Sequence, residues 1–235
     1  MKADYAKQLH KELSGAYDAI APDFSRTRSG WWEELKFVSS YARAGDRVLD
    51  IGCGNGRLFE ELRDKKITYT GIDSSKKLID LAQERHARGA TFLQADALLL
   101  PFGEENFNTV FSFAVLHHIP SVKPREQFMS EAYRVLAKDG IAIFSVWNLW
   151  HKKYLGTIAL HAIMKLIGRS FLDMKDIFLK FGDKEHARFL HAFTRREFEK
   201  LARQAGFTIE KSALIKRKSG QSNFVLVCRK IEGSV

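Results

Sequence analysis

The stretch Val48-Leu49-Asp50-Ile51-Gly52-Cys53-Gly54-Asn55-Gly56 runs from an apolar segment straight into a glycine-rich turn. This combination predicts a buried β-strand whose carboxyl end meets a nucleotide-like ligand at the edge of a parallel sheet. A dinucleotide site would have a third glycine where this chain has Arg57. The carboxylate of Asp50 would repel a pyrophosphate, whereas it suits a ligand that carries an ammonium and a sulfonium group. The turn therefore predicts a site for a cationic, nucleotide-like ligand.

Two further aspartates follow the next two predicted strands. Asp73 lies about 20 residues after Asp50, the spacing at which nucleotide-binding α/β folds place a carboxylate that accepts ribose hydroxyls. Asp96 could accept a hydrogen bond from an adenine amino group, while the backbone N–H of Ala97 meets a ring nitrogen. Asp73 could also cap the following helix, and Asp96 alone could be a turn residue. The spacing of all three aspartates favours the ligand interpretation.

Strands and helices alternate on both sides of this turn, which predicts an α/β fold with a parallel, doubly wound, Rossmann-like sheet. The predicted strands span residues 47–51, 68–72, 91–94, 109–113 and 141–146. The predicted helices between them span residues 58–62, 78–88 and 125–136. These elements form a predicted cofactor-binding core over residues 46–149.

The rest of the chain is predicted to complete a single domain, 1–235, around that core. Residues 1–45 should form a helical cap, with helices at about 5–20, ending before Pro22, and at 31–41. Residues 150–190 should form a helical insertion over the active site, with helices at 154–167 and 171–181. Residues 191–235 should form a helix from a capping box at Thr194 to Ala205, then strands at 207–214 and 223–229.

The net charge of +10 is confined to one part of the chain. Residues 1–150 carry 20 basic and 20 acidic side chains, whereas residues 151–235 carry 18 and 8. A basic segment on a neutral domain suggests a polyanionic partner, nucleic acid first, although a solvated basic surface explains the charge equally well. The basic clusters are Lys152-Lys153, Arg195-Arg196 and Lys216-Arg217-Lys218. Aromatic residues near them could stack unpaired bases: Trp147, Trp150, Tyr154, Phe189 and Phe193.

Other classes of protein receive no support from the sequence. There is no signal peptide in evidence and no apolar run of about 18 residues, so we expect no transmembrane segment. Cys53 and Cys228 are far apart and have no metal-ligand spacing, so we expect no metal and a reducing, cytoplasmic location. Cys53 lacks a partner that would make it a nucleophile.

The segments 46–147 resemble the class I S-adenosylmethionine-dependent methyltransferases of the methyltransferase 11 type. The matching stretches are VLDIGCGNG, GIDSS, QADALLLPF, NFNTVFSFAVLHHI and EAYRVLAKDGIAIFSVW. The resemblance implies S-adenosyl-L-methionine as cofactor and a seven-stranded sheet whose last strand is antiparallel. The cofactor-binding residues expected on this basis are Tyr17, Arg28, Asp50, Gly52, Cys53, Gly54, Asn55, Asp73, Ser74, Asp96, Ala97 and Phe113.

A narrower resemblance links the chain to the tRNA wobble-uridine carboxymethyl methyltransferases. It rests on residues 17–25, Thr27-Arg28, His117-His118 and residues 188–194. It implies methyl ester formation on the carboxylate of 5-carboxymethyluridine, tRNA as partner, and a small zinc-binding activator subunit. A carboxylate is ionised at pH 7, so it needs a group to hold it rather than a strong base. The candidates for that role are Arg28, His117, Lys152 and His191.

Two other functions remain open from the sequence. The apolar insertion could line a pocket for a small acceptor, such as a quinone precursor, a lipid or another metabolite. The segment 152–183 has no recognised counterpart in the tRNA enzymes, and we expect it to cap the acceptor site, although it could also contact a membrane surface. A non-catalytic cofactor- or RNA-binding scaffold is the third possibility, against which the three aspartates argue.

Overall fold

The computed structural model describes residues 1–231 except Ser29, Ala87, Gly182, Asp183 and Ser219, and it describes no side chain at residues 181 and 184–186. The α-helices are α1 (Ala3–Thr27), α2 (Arg57–Leu62), α3 (Lys76–Arg85), α4 (Val122–Val135), α5 (Lys152–Leu166) and α6 (Arg195–Gln204). The strands are β1 (Arg47–Ile51), β2 (Thr68–Asp73), β3 (Ala90–Gln94), β4 (Phe107–Phe113), β5 (Leu136–Trp147), β6 (Asp176–Phe181), β7 (Lys184–His191), β8 (Thr208–Lys216) and β9 (Ser222–Arg229).

Seven strands form one sheet in the order β3-β2-β1-β4-β5-β9-β8. The strands β1 to β5 are parallel, and β9 pairs antiparallel with both β5 and β8. This confirms the predicted Rossmann-like sheet with an antiparallel last strand. From β1 the chain adds β2 and β3 on one side of the sheet, and then crosses to add β4 and β5 on the other side. Ligands bind outside the carboxyl ends of the strands at such a switch point.

Apolar layers cover both faces of the sheet, so its central strands are buried on two sides. Leu49 and Ile51 of β1 pack on the face covered by α4 and α6. Val48 lies on the opposite face with Leu35 of the 3₁₀ helix Glu33–Tyr41. Alternate residues of a strand point to opposite faces, so one apolar run serves both layers. The carboxyl end of β1 is thereby held rigidly where Asp50 enters the turn.

The N-terminal cap differs from the prediction in its length. We predicted that the first helix ends before Pro22, but α1 continues through Pro22 to Thr27. Proline removes one backbone hydrogen bond from a helix. Ile20 and Ala21 are buried beside it, so tertiary packing offsets that loss. The second predicted helix, at 31–41, is the 3₁₀ helix Glu33–Tyr41.

The insertion is helical only in its first half. Helix α5 matches the predicted helix at 154–167, but the predicted helix at 171–181 is wrong, because β6 and β7 form an antiparallel hairpin there. Ile177 pairs with Leu190, and both pack with Ile158 of α5. Phe178 pairs with Phe189 on the other face, where Phe189 packs against α1. Residues 182 and 183, the end of the predicted helical segment 152–183, lie outside the described residues.

Helix α6 begins at the predicted capping box. The Glu197 backbone N–H donates to Thr194 Oγ1 (3.3 Å), and the Thr194 N–H donates back to the Glu197 carboxylate (3.5 Å). The hairpin β8–β9 confirms the two predicted C-terminal strands, and residues 232–235 of the predicted C-terminal region lie outside the described part. Among the described residues, no helix is both long and apolar enough to cross a membrane.

Candidate active site

A cavity lies at the carboxyl edge of the sheet and is covered by α1. Of the predicted cofactor residues, Asn55 does not line it and the others do: Tyr17, Arg28, Asp50, Gly52, Cys53, Gly54, Asp73, Ser74, Asp96, Ala97 and Phe113. The structure therefore brings together three strand ends, the glycine-rich turn and the N-terminal helix. Of the predicted catalytic residues, only Arg28 lines the cavity, and His117 and His191 do not.

Asp50 reaches the cavity from a buried position at the end of β1. Its side chain accepts a hydrogen bond from the Tyr69 hydroxyl (2.6 Å) and is only 3% exposed. Burial raises the pKa of Asp50 to about 7, against the lowering effect of the Tyr69 hydrogen bond and of Arg57. A cation bound in the cavity would favour the ionised form of this carboxyl group. The site is thus suited to the positively charged ligand that the sequence predicts.

The glycine-rich turn needs glycine at Gly52 for a steric reason. Its φ is +76°, and a Cβ there would lie 2.2 Å from Val115 Cγ2. Cys53 lines the cavity beside it, and burial raises the pKa of its thiol well above the usual value, so the thiol is protonated. Asn55 is fully buried, and its amide nitrogen donates to Ser25 Oγ (3.1 Å) and the Arg28 carbonyl (3.2 Å). Asn55 thus fastens the end of α1 to the turn, and its predicted contact with the cofactor stays a prediction.

Asp73 and Asp96 line the cavity and also organise the backbone around it. The Asp73 carboxylate accepts from the Gly54 N–H (2.9 Å) with one oxygen and from the Ser75 N–H (2.9 Å) with the other. The cap of α3 is Ser75, so Asp73 supports the helix start without being its cap. Asp96 accepts from the Leu98 N–H (2.9 Å) and lies 3.1 Å from His10 Nε2.

Helix α1 closes the cavity through contacts along its length. Asp18 accepts from Ser75 Oγ (2.6 Å) and from the Lys77 N–H (3.1 Å) at the start of α3. Ser14 Oγ donates to the Ser74 carbonyl (2.8 Å). Together with His10 on Asp96, these contacts bind α1 to the loops that follow β2 and β3. A ligand in the cavity would be shielded from solvent by this helix.

The histidine pair after β4 has a different arrangement from the predicted one. His117 is fully buried, and its Nδ1 accepts from the Trp147 N–H (3.4 Å), so it does not reach the cavity. His118 lines the cavity instead. The Phe189 carbonyl lies 3.1 Å from His118 Nδ1, so that nitrogen carries the proton and Nε2 accepts from the Tyr17 hydroxyl (2.9 Å). Burial lowers the pKa of His118 to about 3, so neither histidine suits the role of an ionised acceptor clamp.

His191 lies in an ionic cluster and does not line the cavity, so this geometry lends no support to its predicted catalytic role. Its Nδ1 is 2.6 Å from Asp176 and its Nε2 is 2.8 Å from Glu197. Burial alone would raise the pKa of Glu197, but hydrogen bonds from His191 and Lys175 lower it to about 2. These contacts join the β6–β7 hairpin to the start of α6. His191 therefore has a structural position in the fold.

Arg188 of β7 is a cation at the cavity that was not among the predicted site residues. It lines the cavity, its Cζ lies 4.5 Å from the centre of the Trp147 ring, and it forms a hydrogen bond with Tyr17. Arg28 also lines the cavity, with its Cζ 4.3 Å from the centre of the Phe24 ring. The cavity is thus bipolar, with carboxylates at the ends of three strands and the guanidinium groups of Arg28, Arg57 and Arg188 from outside the seven-stranded sheet.

The predicted RNA-stacking aromatics divide into core and cavity residues. Phe189 and Phe193 are buried in the core, which excludes them from base stacking. Trp147 lines the cavity, and the Trp150 indole N–H donates to the Phe193 carbonyl (2.8 Å). In the basic clusters, Arg195 is engaged by Glu199 and Ser212.

Comparison with known proteins agrees with this geometry. Residues 49–144 match the family model described as a Methyltransferase domain. This segment is a methyltransferase domain. The structure is also similar to a SAM-dependent methyltransferase from Methanosarcina mazei, with a TM-score of 0.74 and 22% identity over 86% of this chain and 99% of that one.

Two further proteins are similar to this chain, one in sequence and one in fold. The tRNA (carboxymethyluridine(34)-5-O)-methyltransferase of Arabidopsis thaliana is 34% identical over 137 residues, 58% of this chain and 33% of that protein. The present chain thus spans about a third of the length of this relative. A Haloferax volcanii methyltransferase, solved in complex with the Trm112 methyltransferase activator, has a TM-score of 0.69 and 18% identity over 94% of this chain and 98% of that one.

S-adenosylmethionine is the cofactor of this class, and the residues of the cavity fit it. The buried carboxyl group of Asp50 has a pKa of about 7 and suits the ammonium group of the cofactor. Asp73 and Asp96 each line the cavity at the next strand ends, where ribose hydroxyls and an adenine amino group would need acceptors. These three carboxylates are the acceptors that the ammonium, ribose and adenine groups of the cofactor would need.

Sequence reasoning missed several residues that complete the cavity wall. His10 comes from α1, Trp31 and Trp32 precede the 3₁₀ helix, and Arg57 begins α2. Arg57 stacks on Trp32, with 3.6 Å from Cζ to the ring centre. The adjacent tryptophans were the available signal, because the large indole ring with its polar N–H suits a surface that is partly apolar and partly wet. Arg188 lies in the segment 188–194 that carries the narrower resemblance, but its orientation depends on the pairing of β7.

Proposed function

We propose that this methyltransferase domain transfers a methyl group from S-adenosylmethionine to a carboxylate on tRNA, that of a carboxymethylated uridine. The observation that carries the proposal is the bipolar cavity, since Arg28 and Arg188 could receive an anion there while the carboxylates hold the cofactor. The 34% identity to an enzyme named for that reaction supports the same choice of acceptor.

The chemistry asks the protein to position two groups and to exclude water. When bound, S-adenosylmethionine supplies an electrophilic methyl group on a sulfonium. Arg188 and Arg28 would hold the acceptor carboxylate by charge-assisted hydrogen bonds. Because the carboxylate is already ionised, no side chain has to remove a proton. The low pKa of His118, about 3, agrees with a positioning role for that histidine rather than a role as base.

A chain of hydrogen bonds holds Arg188 in place for this role. The Phe189 carbonyl fixes the tautomer of His118, and His118 Nε2 accepts the Tyr17 hydroxyl proton. The Tyr17 oxygen is then oriented to accept from Arg188, with which it forms a hydrogen bond. Tyr17 belongs to α1 and Arg188 to β7. The contact between them therefore both holds α1 over the cavity and positions the Arg188 cation.

The test uses labelled cofactor with tRNA from cells that leave the carboxymethyl group unesterified. We expect label in tRNA that mild alkali releases as volatile methanol, because a methyl ester is hydrolysed whereas N-methyl and C-methyl groups are retained. Label that enters only small metabolites, or that resists alkali, would refute the proposal. Arg188→Gln should lower kcat/KM for tRNA with little effect on cofactor affinity, and Arg63→Gln, an exposed arginine in the charge-neutral part of the chain, should behave as wild type.

The proposal includes an activator subunit and a cytoplasmic location. A structurally similar methyltransferase was solved with the Trm112 activator, which is the reason to test one here. Both cysteines are free thiols, as expected in a reducing compartment. Co-expression with a Trm112-type protein should increase tRNA methylation, measured by the same alkali-labile label. Equal activity of the chain alone would remove the activator from the proposal.

A further inference from the structure

The outward face of α5 is apolar. One side of this helix packs on the β6–β7 hairpin through Ile158, which is buried. The opposite side presents Leu160, Ile163 and Leu166, which are 59%, 55% and 73% exposed. A surface helix normally turns charged or polar residues to solvent. The face of α5 that points away from the domain is thus apolar where a surface helix is normally polar.

This apolar surface extends beyond the helix at both ends. Trp150 precedes α5, and Ile167, Phe171 and Met174 follow it, all of them exposed. Eight of the thirteen exposed large hydrophobic side chains among the described residues lie between positions 150 and 174. Exposed apolar residues scattered singly need no explanation, whereas a concentration of this kind marks an interaction surface.

The charges along this segment are mostly positive, and its one carboxylate, Asp173, is paired with the N-terminal ammonium group. Residues 151–172 contain Lys152, Lys153, Lys165 and Arg169 and no aspartate or glutamate. Lys152 and Lys153 occupy the first turn of α5, where the positive end of the helix dipole disfavours cations. Their placement therefore does not stabilise the helix itself. Apolar side chains bordered mainly by cations call for a partner that offers both anions and apolar contact.

We propose that α5 and the residues around it bind an anionic lipid surface, with the helix lying in the plane of the headgroups. Leucine, isoleucine and phenylalanine would enter the acyl boundary, and the lysines would meet the lipid charges. A symmetric contact with a second copy would instead bring this cationic segment against itself. RNA offers phosphates but no partner for the leucines. The proposal stands apart from the proposed tRNA reaction and does not depend on it.

The experiment is flotation of the full chain with phosphatidylcholine vesicles that contain or lack phosphatidylglycerol, at low and high salt. We expect the chain to float with the anionic vesicles at low salt and less at high salt, because salt screens the charges. Leu160→Ser with Ile163→Ser should lower the floated fraction about fivefold or more. Lys152→Gln with Lys153→Gln should remove most of the salt-dependent part.

Leu214→Ser is the matched control, because Leu214 is 44% exposed but lies on β8. It should float as the wild type does, and unchanged cofactor affinity in every variant would show that the fold is intact. The proposal is overturned if the wild type stays unbound with anionic vesicles at low salt, or if the double serine variant floats equally well. Self-association without vesicle binding, lost in the double serine variant, would overturn it in favour of a second copy.

Discussion

Asp50 is buried beside the cavity and has a pKa of about 7. A bound cation favours its ionised form, so cofactor binding is coupled to the loss of a proton from this carboxyl group. We predict that the affinity for S-adenosylmethionine, measured by calorimetry, rises with pH through about 7. In Asp50→Asn the affinity should be about tenfold weaker and no longer rise in that range. If the affinity depended equally on pH in the wild type and in the variant, the positively charged group of the cofactor would not lie beside Asp50.

The same pKa predicts an effect of Asp50 on stability. The carboxyl titrates at 3.8 in an ordinary environment but at about 7 in the fold, so its ionisation destabilises the folded state as pH rises from about 4 to 7. Asp50→Asn removes this cost and should raise the free energy of unfolding at pH 8 by up to about 4 kcal/mol. The amide can still accept from Tyr69. Urea unfolding of the cofactor-free protein checks this, and a less stable variant at pH 8 would contradict it.

Helix α1 acts as the cover of the cavity, and Asp18 is its main polar contact with α3. Asp18→Ala breaks both hydrogen bonds and should speed cofactor release by about tenfold, since a bond to a charged group contributes about 1.5 kcal/mol or more. Displacement kinetics in a stopped-flow instrument would measure this, with hydrogen exchange in α1 as a second observable. Glu12→Gln, on the same helix and bonded to Gln8 at the surface, is the control.

Helix α6 depends on its capping box at Thr194. Thr194→Ala should lower the free energy of unfolding by about 1 kcal/mol, because it leaves the Glu197 N–H without its side-chain acceptor. Thr194→Ser keeps the hydroxyl and should retain most of the stability. Chemical denaturation of the three proteins measures the difference, and equal losses in the alanine and serine variants would show that the methyl group, rather than the cap, matters.

Over the whole molecule, the positive excess after residue 150 should govern binding to tRNA. We predict that tRNA affinity falls steeply with salt, and that Arg217→Gln reduces the slope of log affinity against log salt by about one. Arg217 lies 5.1 Å from the Trp32 ring at the cavity wall. Arg63→Gln, an exposed arginine of the neutral half, should leave the slope unchanged. Filter binding across a salt series measures both, and identical slopes in all three proteins would place the RNA elsewhere.

The cofactor side of the cavity was predictable because its signals are local. Asp50, Asp73 and Asp96 each follow a short apolar strand, and parallel strands bring their carboxyl ends to one edge. Strand period and glycine position are enough to place such residues. The capping box at Thr194 was predictable for the same reason, since it involves residues three apart.

The acceptor side depends on contacts between distant parts of the chain. The segment 171–181 has no partner within itself, and its strand forms because residues 184–191 pair with it. On that strand Arg188 and His191 are three residues apart and point to opposite faces, whereas on a helix they would share one. Pairing therefore turned Arg188 to the cavity and His191 to Asp176. Local sequence thus specified the carboxylates that line the cavity, while long-range strand pairing brought Arg188 to it.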